Sequence, residues 1–272
     1  MENTNCIICD NNKFNLFATF NIHNEKFTLV DCLECKFVYL NPRIKEVDIS
    51  KFYDNNYQPF QNKISFTNIL YSLFRKINFL FKYKIINKYV NEGKILDIGS
   101  GDNFFSNSMK LKGWNSYSYD KFYNSISNTK SLSSLNSNNF KCITLWHSIE
   151  HMYDINDVFI NIKNLLNDDG YLFIACPNLN SSEVDILNEN WIAYDIPRHL
   201  YHFSFKTMYK FLIKHHIKIV DIQNLKMDTL YNVFMSKNIN IFKKIYVYLR
   251  SMLIQFFDKK KSSTIIYVCK LK

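Results

Sequence analysis

Apolar and polar positions alternate near the start of the chain, in Phe14-Asn-Leu16-Phe17-Ala-Thr-Phe20 and again in Phe27-Thr-Leu29-Val30. Such alternation predicts short strands of a ribbon. Over 64–90 the spacing changes to a helical one. Ile69, Leu70, Leu73, Ile77, Leu80, Phe81, Ile85, Ile86 and Tyr89 mark one or two helices, which end before Gly93. From Lys94 short apolar runs alternate with helical stretches. Ile95–Ile98, Ser116–Asp120, Cys142–Trp146, Tyr171–Cys176, Ile217–Leu225 and Thr264–Cys269 read as strands, and 103–112, 156–166 and 205–215 as helices. Asp168-Asp169-Gly170 reads as a turn, and the Ser/Asn-rich stretch 124–139 as a loop with no visible strand. Residues 238–257 read as an apolar-aromatic helix with basic punctuation. Repeated βα alternation predicts a doubly wound, mostly parallel sheet.

Length adds one constraint: 272 residues suffice for a large α/β domain plus a small accessory unit. The formal charge of +10 suits a nucleic acid or an anionic membrane. The basic residues are scattered, however, with only Lys259-Lys260-Lys261 forming a run, and a compositional bias explains them better. No apolar run approaches the roughly 18 residues of a bilayer span, and the start lacks a leader pattern. The expected compartment is the cytoplasm, where paired cysteines read as metal ligands before disulfides.

Glycine is scarce, and two of the five stand close together in Lys94-Ile-Leu-Asp97-Ile-Gly99-Ser100-Gly101-Asp-Asn103-Phe104-Phe. A strand running into Gly-x-Gly and then a helix is a nucleotide turn, where the backbone approaches a ligand closely. Dinucleotide binding needs a third Gly at Phe104, because pyrophosphate sits on the helix N-terminus. An acid two residues before Gly99 suits a cationic ligand instead. Asp120, at the end of the next strand, is placed to take ribose hydroxyls.

These residues resemble the first motif of class I S-adenosylmethionine-dependent methyltransferases. Ile143-Thr-Leu-Trp146-His147-Ser-Ile-Glu150-His151-Met152 and Leu165–Asn178 are similar to the fourth- and fifth-strand motifs of the ubiquinone-biosynthesis-like branch. Trp191-Ile-Ala-Tyr-Asp-Ile-Pro197-Arg198-His199-Leu-Tyr201-His202-Phe-Ser204 resembles a loop of bacterial members linked to cell-surface glycan and natural-product pathways. The resemblance implies an α/β, Rossmann-like fold with a mostly parallel seven-stranded sheet. It implies S-adenosylmethionine as cofactor, held by Asp97, Gly99, Ser100, Gly101, Asn103, Asp120, Trp146 and His147. Asn103 replaces the usual third Gly, Lys141 the usual Asp opening the fourth strand, and the third-strand acid is not visible.

Cys6-x-x-Cys9 and Cys32-x-x-Cys35 match the spacing of a tetrahedral structural zinc site. A metal-free ribbon or a redox pair are the alternatives. Zinc ribbons precede many methyltransferases of the resembled branch. The expected division is a zinc ribbon over 1–45, a helical linker or lid over 46–92, and the methyltransferase domain over 93–272, with a helical insertion at about 226–262. His199, then His147 and Tyr201, are the candidates for deprotonating or orienting an acceptor. Ser204 is a candidate N-cap for the helix that follows.

The resemblance implies a small-molecule acceptor: a sugar, sugar nucleotide or lipid-linked intermediate. An RNA methyltransferase and a non-catalytic cofactor-binding scaffold are the alternatives. Residues 238–257 are a candidate peripheral membrane contact, set against a packed lid or dimer element. The oligomeric state is left open.

Overall fold

Three antiparallel strands open the chain: β1 (Phe14–Ile22), β2 (Glu25–Cys32) and β3 (Val38–Leu40). In this computed structural model the described residues are 1–22, 24–53, 66–122, 128–136 and 139–272, with 66–71 described for their backbone alone. The helix α1 (Phe66–Ile86) leads into the alternating part of the chain. There follow β4 (Lys94–Ile98), α2 (Phe104–Leu111), β5 (Asn115–Tyr119), β6 (Phe140–Trp146), α3 (Ile155–Leu165) and β7 (Leu166–Pro177). The remainder is α4 (Val184–Leu187), β8 (Tyr201–His202), α5 (Phe205–Lys214), β9 (Ile217–Asn224), α6 (Lys226–Met235), α7 (Ile241–Phe257) and β10 (Thr264–Leu271).

Among the described residues the large sheet has six strands in the order β5-β4-β6-β7-β10-β9. The β5-β4-β6-β7 pairs are parallel, and β10 runs antiparallel to both its neighbours. The expected count was seven. Of the loop 124–139, residues 124–127, 137 and 138 lie outside the described residues, and Leu132–Ser134 forms a short 3-10 turn.

Both faces of this sheet are covered, which is why its central strands are nearly continuous apolar runs. On one face α1 and α2 bring Phe79, Ile86, Phe105 and Met109 against Ile95, Cys142 and Phe173. On the other, α3 and α5 bring Phe159, Ile162, Phe211 and Leu212 against Leu96, Ile143 and Ile174. In α3 the buried positions Ile155, Phe159, Ile162 and Leu165 recur every three or four residues. Each such side chain stabilises by about 1.5–3 kcal/mol when fully buried. Ser204 caps α5: its hydroxyl accepts from the Thr207 N–H at 3.2 Å, and the Thr207 hydroxyl accepts from the Ser204 N–H at 2.9 Å.

Three local expectations change. Asp168-Asp169-Gly170 lies inside β7 rather than before it. Leu166 pairs Phe140 and Tyr171 pairs Cys142, so residues 167–170 bulge opposite Lys141 alone. The helix expected at 238–257 begins at Ile241, because Asn240 caps it by accepting from the Lys243 N–H at 2.8 Å. The inward face of α7 is also small and polar, with Val247, Ser251 and Gln255 buried, while Phe242, Leu249, Leu253, Phe256 and Phe257 are exposed.

The small sheet is β1-β2-β3-β8. Its fourth strand comes from residues far along the chain: Val38 pairs His202 and Tyr39 pairs Tyr201. Phe27, Leu29 and Tyr39 of this sheet, with Phe37 just before β3, share one apolar cluster with α3 and α5.

Candidate active site

The C-terminal ends of three adjacent parallel strands, β5, β4 and β6, bring together every residue expected to hold the cofactor. Asp97 lies near the end of β4, with Gly99, Ser100 and Gly101 in the turn after it. Asp120 follows β5, Trp146 ends β6 and His147 comes next. Asn103 takes the left-handed conformation, φ 63°, that its position before α2 requires and that Asn tolerates.

The two glycines serve different needs. A Cβ on Gly99 would lie 2.3 Å from the Ser148 Cβ, so this glycine is demanded by the protein itself, at φ 77°. Ser148 is fixed there by donating to the Ile98 carbonyl at 2.9 Å. A Cβ on Gly101 would meet nothing within 4 Å, which leaves open space over the turn.

The turn is already supplied with negative charge. The Asp120 carboxylate accepts from the Gly101 N–H at 2.9 Å and from the Phe122 N–H at 2.9 Å. The Asp102 carboxylate accepts from the Phe104 N–H at 3.1 Å and from Arg75 at 2.7 Å. A carboxylate therefore occupies the start of α2, where a dinucleotide would need its pyrophosphate.

Asp97 is buried and accepts from the Thr144 hydroxyl at 2.7 Å. Burial pushes its carboxyl up to about 7, against the lowering effects of Thr144 and Lys82, and with Asp120 and Asp102 adding to the rise. A cation placed beside it would bring the carboxylate back. The Ser100 hydroxyl and the Trp146 indole nitrogen are buried without a hydrogen-bond partner among the described residues. A buried acid, two unpartnered polar atoms and open space over Gly101 fit an adenosyl ligand with a cationic end.

Lys82, on α1, was not singled out from the sequence. Its ammonium lies 4.7 Å from the centroid of the Trp146 ring. Burial lowers its pKa, while Asp228 and Asp97 raise it. A helical Lys among many carries no sequence signal of this placement.

Beside the turn lies a cluster of imidazoles and carboxylates. His147 Nε2 is 2.7 Å from Asp228 and Nδ1 is 3.5 Å from Glu150. Burial works against its charge, but Asp228 and Glu150 raise it to about 9. His199 donates through Nδ1 to the Ala193 carbonyl at 2.8 Å, because a carbonyl only accepts, and its Nε2 lies 3.7 Å from Asp195. Asp195 is also paired with Arg198. Burial pulls His151 down to about 4 and His202 to about 3. Asp228 and Asp195 were not identified from the sequence. The contact between His147 and Asp228 spans 81 positions, and no local pattern announces it.

Tyr201 stands apart from this cluster's histidine–carboxylate contacts. Its hydroxyl accepts from Arg43 at 3.2 Å, in an open cavity of about 280 Å³ also lined by Thr4, Tyr153 and Asp157. The four N-terminal cysteines converge, with their sulfurs all within 4.8 Å of one another. Cys6 and Cys35 Sγ are 3.3 Å apart, and Cys9 and Cys32 Sγ 3.4 Å.

The profile of a family described as a methyltransferase domain matches residues 66–216, more than half of the chain. The chain belongs to this family and is an S-adenosylmethionine-dependent methyltransferase with the class I, Rossmann-like α/β fold. The fold is similar to that of phosphoethanolamine N-methyltransferase 2 from Haemonchus contortus, at 11% identity and TM-score 0.53, covering 94% of this chain and 71% of that one. It is also similar to 1,6-didemethyltoxoflavin-N1-methyltransferase from Burkholderia thailandensis, at 12% identity and TM-score 0.51, covering 93% of this chain and 98% of that one. No curated protein matches.

Proposed function

We propose that the protein transfers a methyl group to a small polar acceptor, of the sugar, sugar-nucleotide or lipid-linked class used in surface-polysaccharide or natural-product biosynthesis. The observation that carries this reading is the cluster of His147, Glu150, Asp195, His199 and Asp228 next to the cofactor turn. Such a cluster of charged and hydrogen-bonding groups suits hydroxyl-rich or charged molecules. S-adenosylmethionine supplies a methyl already activated on its sulfonium. The residues hold the acceptor in line, exclude water and take its proton.

With Nδ1–H committed to Ala193, His199 keeps the Nε2 lone pair and serves as the base. His147, raised to about 9 between two carboxylates, is cationic at neutral pH and orients the acceptor instead. The test measures S-adenosylhomocysteine formation with panels of nucleotide sugars and polyprenyl-linked saccharides, alongside ribosomal RNA. Turnover of the RNA alone rejects the reading. His199→Ala is expected to lower turnover by about 10²–10⁴-fold.

We also propose that the four cysteines hold a structural zinc ion. Zinc–sulfur bonds of about 2.3 Å give tetrahedral sulfur–sulfur edges near 3.8 Å, within the span of this cluster. Each cysteine pair is also folded alike. Asp10 and Lys36, which follow Cys9 and Cys35, are left-handed, at φ 58° and 63°. Their N–H groups donate to the Cys6 and Cys32 carbonyls at 2.9 and 3.0 Å.

A third proposal is that α7 rests on an anionic membrane surface from the cytoplasmic side. No described helix is long and apolar enough to cross a membrane. The outward face of α7 is apolar, the helix holds no acid, Lys243 and Lys244 lie in its first turn, and Lys259–Lys261 follow it. Flotation with anionic but not neutral vesicles is expected, and its loss in Phe242→Glu/Leu249→Glu. Equal flotation with both vesicle types refutes it.

A further inference from the structure

Glu150 is 1% exposed, and neither carboxylate oxygen has a hydrogen-bond partner among the described residues. A buried carboxylate without hydrogen bonds is costly and calls for a compensating positive group. Cationic His147 supplies part of that charge, 3.5 Å from one oxygen, but its shorter contact is with Asp228 at 2.7 Å, and the other Glu150 oxygen has no hydrogen bond among the described residues.

The groups around Glu150 have a consistent polarity. His151 Nδ1 lies 3.0 Å from the Arg198 carbonyl, and His199 Nδ1 lies 2.8 Å from the Ala193 carbonyl. Carbonyls only accept, so both Nδ1 atoms carry a proton, which in the neutral ring leaves the lone pair on Nε2. Backbone carbonyls fixing Nδ1–H in this way are the outer-shell arrangement of metal-binding histidines. A carboxylate oxygen of Glu150 and one ring nitrogen each of His151 and His199 lie within 4.8 Å of one another. A third imidazole, His202, is 4% exposed and has its Nε2 buried without a hydrogen bond among the described residues. Its ring centroid is 6.3 Å from that of His199.

We infer that Glu150, His151 and His199 form a second metal site, distinct from the cysteines, for a divalent first-row transition cation. Two imidazoles and one carboxylate suit such ions better than Ca²⁺ or Mg²⁺, which favour all-oxygen shells. Three protein ligands leave coordination positions open. Of the two nearby acids, Asp195 is already paired with Arg198, so Glu150 supplies the negative charge.

The cation would sit on the acceptor side, where it can bind acceptor oxygens and lower the pKa of a bound hydroxyl. In the loaded protein His199 is then a ligand, and its role as base belongs to the cation-free protein. Metal binding itself does not depend on the proposed acceptor class.

Cobalt(II) is the probe, titrated into the full-length protein. A thiolate site gives intense sulfur-to-metal charge transfer in the near ultraviolet. A His/Glu site gives weak visible d–d bands without it. The expected result is a second equivalent with the weak signature, its affinity lowered at least about tenfold in Glu150→Gln and in His199→Gln. Only the thiolate signature in the wild type overturns the site, a reading that stands even if Glu150→Gln fails to fold. A weak signature unchanged in both variants also overturns it.

Calorimetry with S-adenosylhomocysteine on the same samples separates this proposal from the methyl-transfer reading. Cofactor binding without the second cobalt sinks only the metal site. The second cobalt without cofactor binding sinks only the reading as a transferase.

Discussion

Asp97 is expected to couple cofactor affinity to pH, in a direction fixed by its surroundings. In the ligand-free protein burial pushes its carboxyl up to about 7, from an ordinary value of 3.8. In the unfolded chain it ionises near the ordinary value. Between the two pH values the unfolded state has lost a proton that the folded state retains. Folding stability from this group is therefore full below 3.8, falls as pH rises, and is lost above about 7. At about 1.4 kcal/mol per unit, the loss is on the order of 4 kcal/mol at neutral pH.

A ligand carrying an ammonium and a sulfonium favours the carboxylate, so binding expels the proton. With the bound-state pKa well below 5.5, affinity for S-adenosylmethionine is expected to fall about fifteenfold from pH 7 to pH 5.5. The ligand's own amine, with an ordinary pKa near 8, stays charged in that window. Calorimetry in two buffers of different ionisation enthalpy reads the affinity and the released proton together. Asp97→Asn keeps the shape and can still accept from Thr144 Oγ1. It is expected to bind weakly at every pH, to lose the slope, and to melt higher than the wild type at pH 8 without ligand. A pH-independent affinity in the wild type, or the same slope in Asp97→Asn, refutes the assignment of Asp97 to the cationic end of the cofactor.

Gly99→Ala places a methyl 2.3 Å from the Ser148 Cβ at a positive φ of 77°. The expected destabilisation is about 2–4 kcal/mol by chemical denaturation, and a change below about 0.5 kcal/mol contradicts the close approach. Lys82→Met removes a cation that holds the Asp97 carboxyl down, so the pH dependence of S-adenosylmethionine affinity should move to higher pH. A shift to lower pH reverses the sign assigned to Lys82. Chelation at moderate temperature should release zinc and expose Cys6, Cys9, Cys32 and Cys35 to a thiol reagent, while Cys142, Cys176 and Cys269 stay buried. Four reactive thiols before chelation contradict a resident metal.

The parts of the fold that were legible share a physical property: the constraint is local. A turn that needs φ 77° at one residue and 53° two residues later selects glycine twice, and φ 63° at the next-but-one position tolerates Asn. The central strands of the large sheet were legible because burial on both faces makes them nearly continuous apolar runs. The inverse holds for β8. A strand of two residues has no period to read, and only its pairing with Val38 and Tyr39 makes Tyr201 and His202 part of the small sheet. Asp228 was equally silent, since a carboxylate in a helix signals a solvated face until the helix packs against His147.

α7 shows the limit of hydrophobicity as a guide to burial. Its large apolar side chains predict an inward face, yet the inward positions are Val247, Ser251 and Gln255. The reason lies in what the helix packs on. The Gln255 amide donates to the Thr229 hydroxyl at 3.3 Å, and Asn232 of the same α6 helix donates to Ser263 at 2.7 Å. A polar seam beneath the helix must be met by polar groups, because unpaired ones would cost about 1–3 kcal/mol each. That seam leaves the larger apolar side chains on the outside, with Phe242 82% and Phe257 79% exposed. Composition alone identified an apolar helix. Which face it buries was decided by a hydrogen-bonding requirement on a neighbouring helix, and that requirement leaves the larger apolar side chains of α7 exposed.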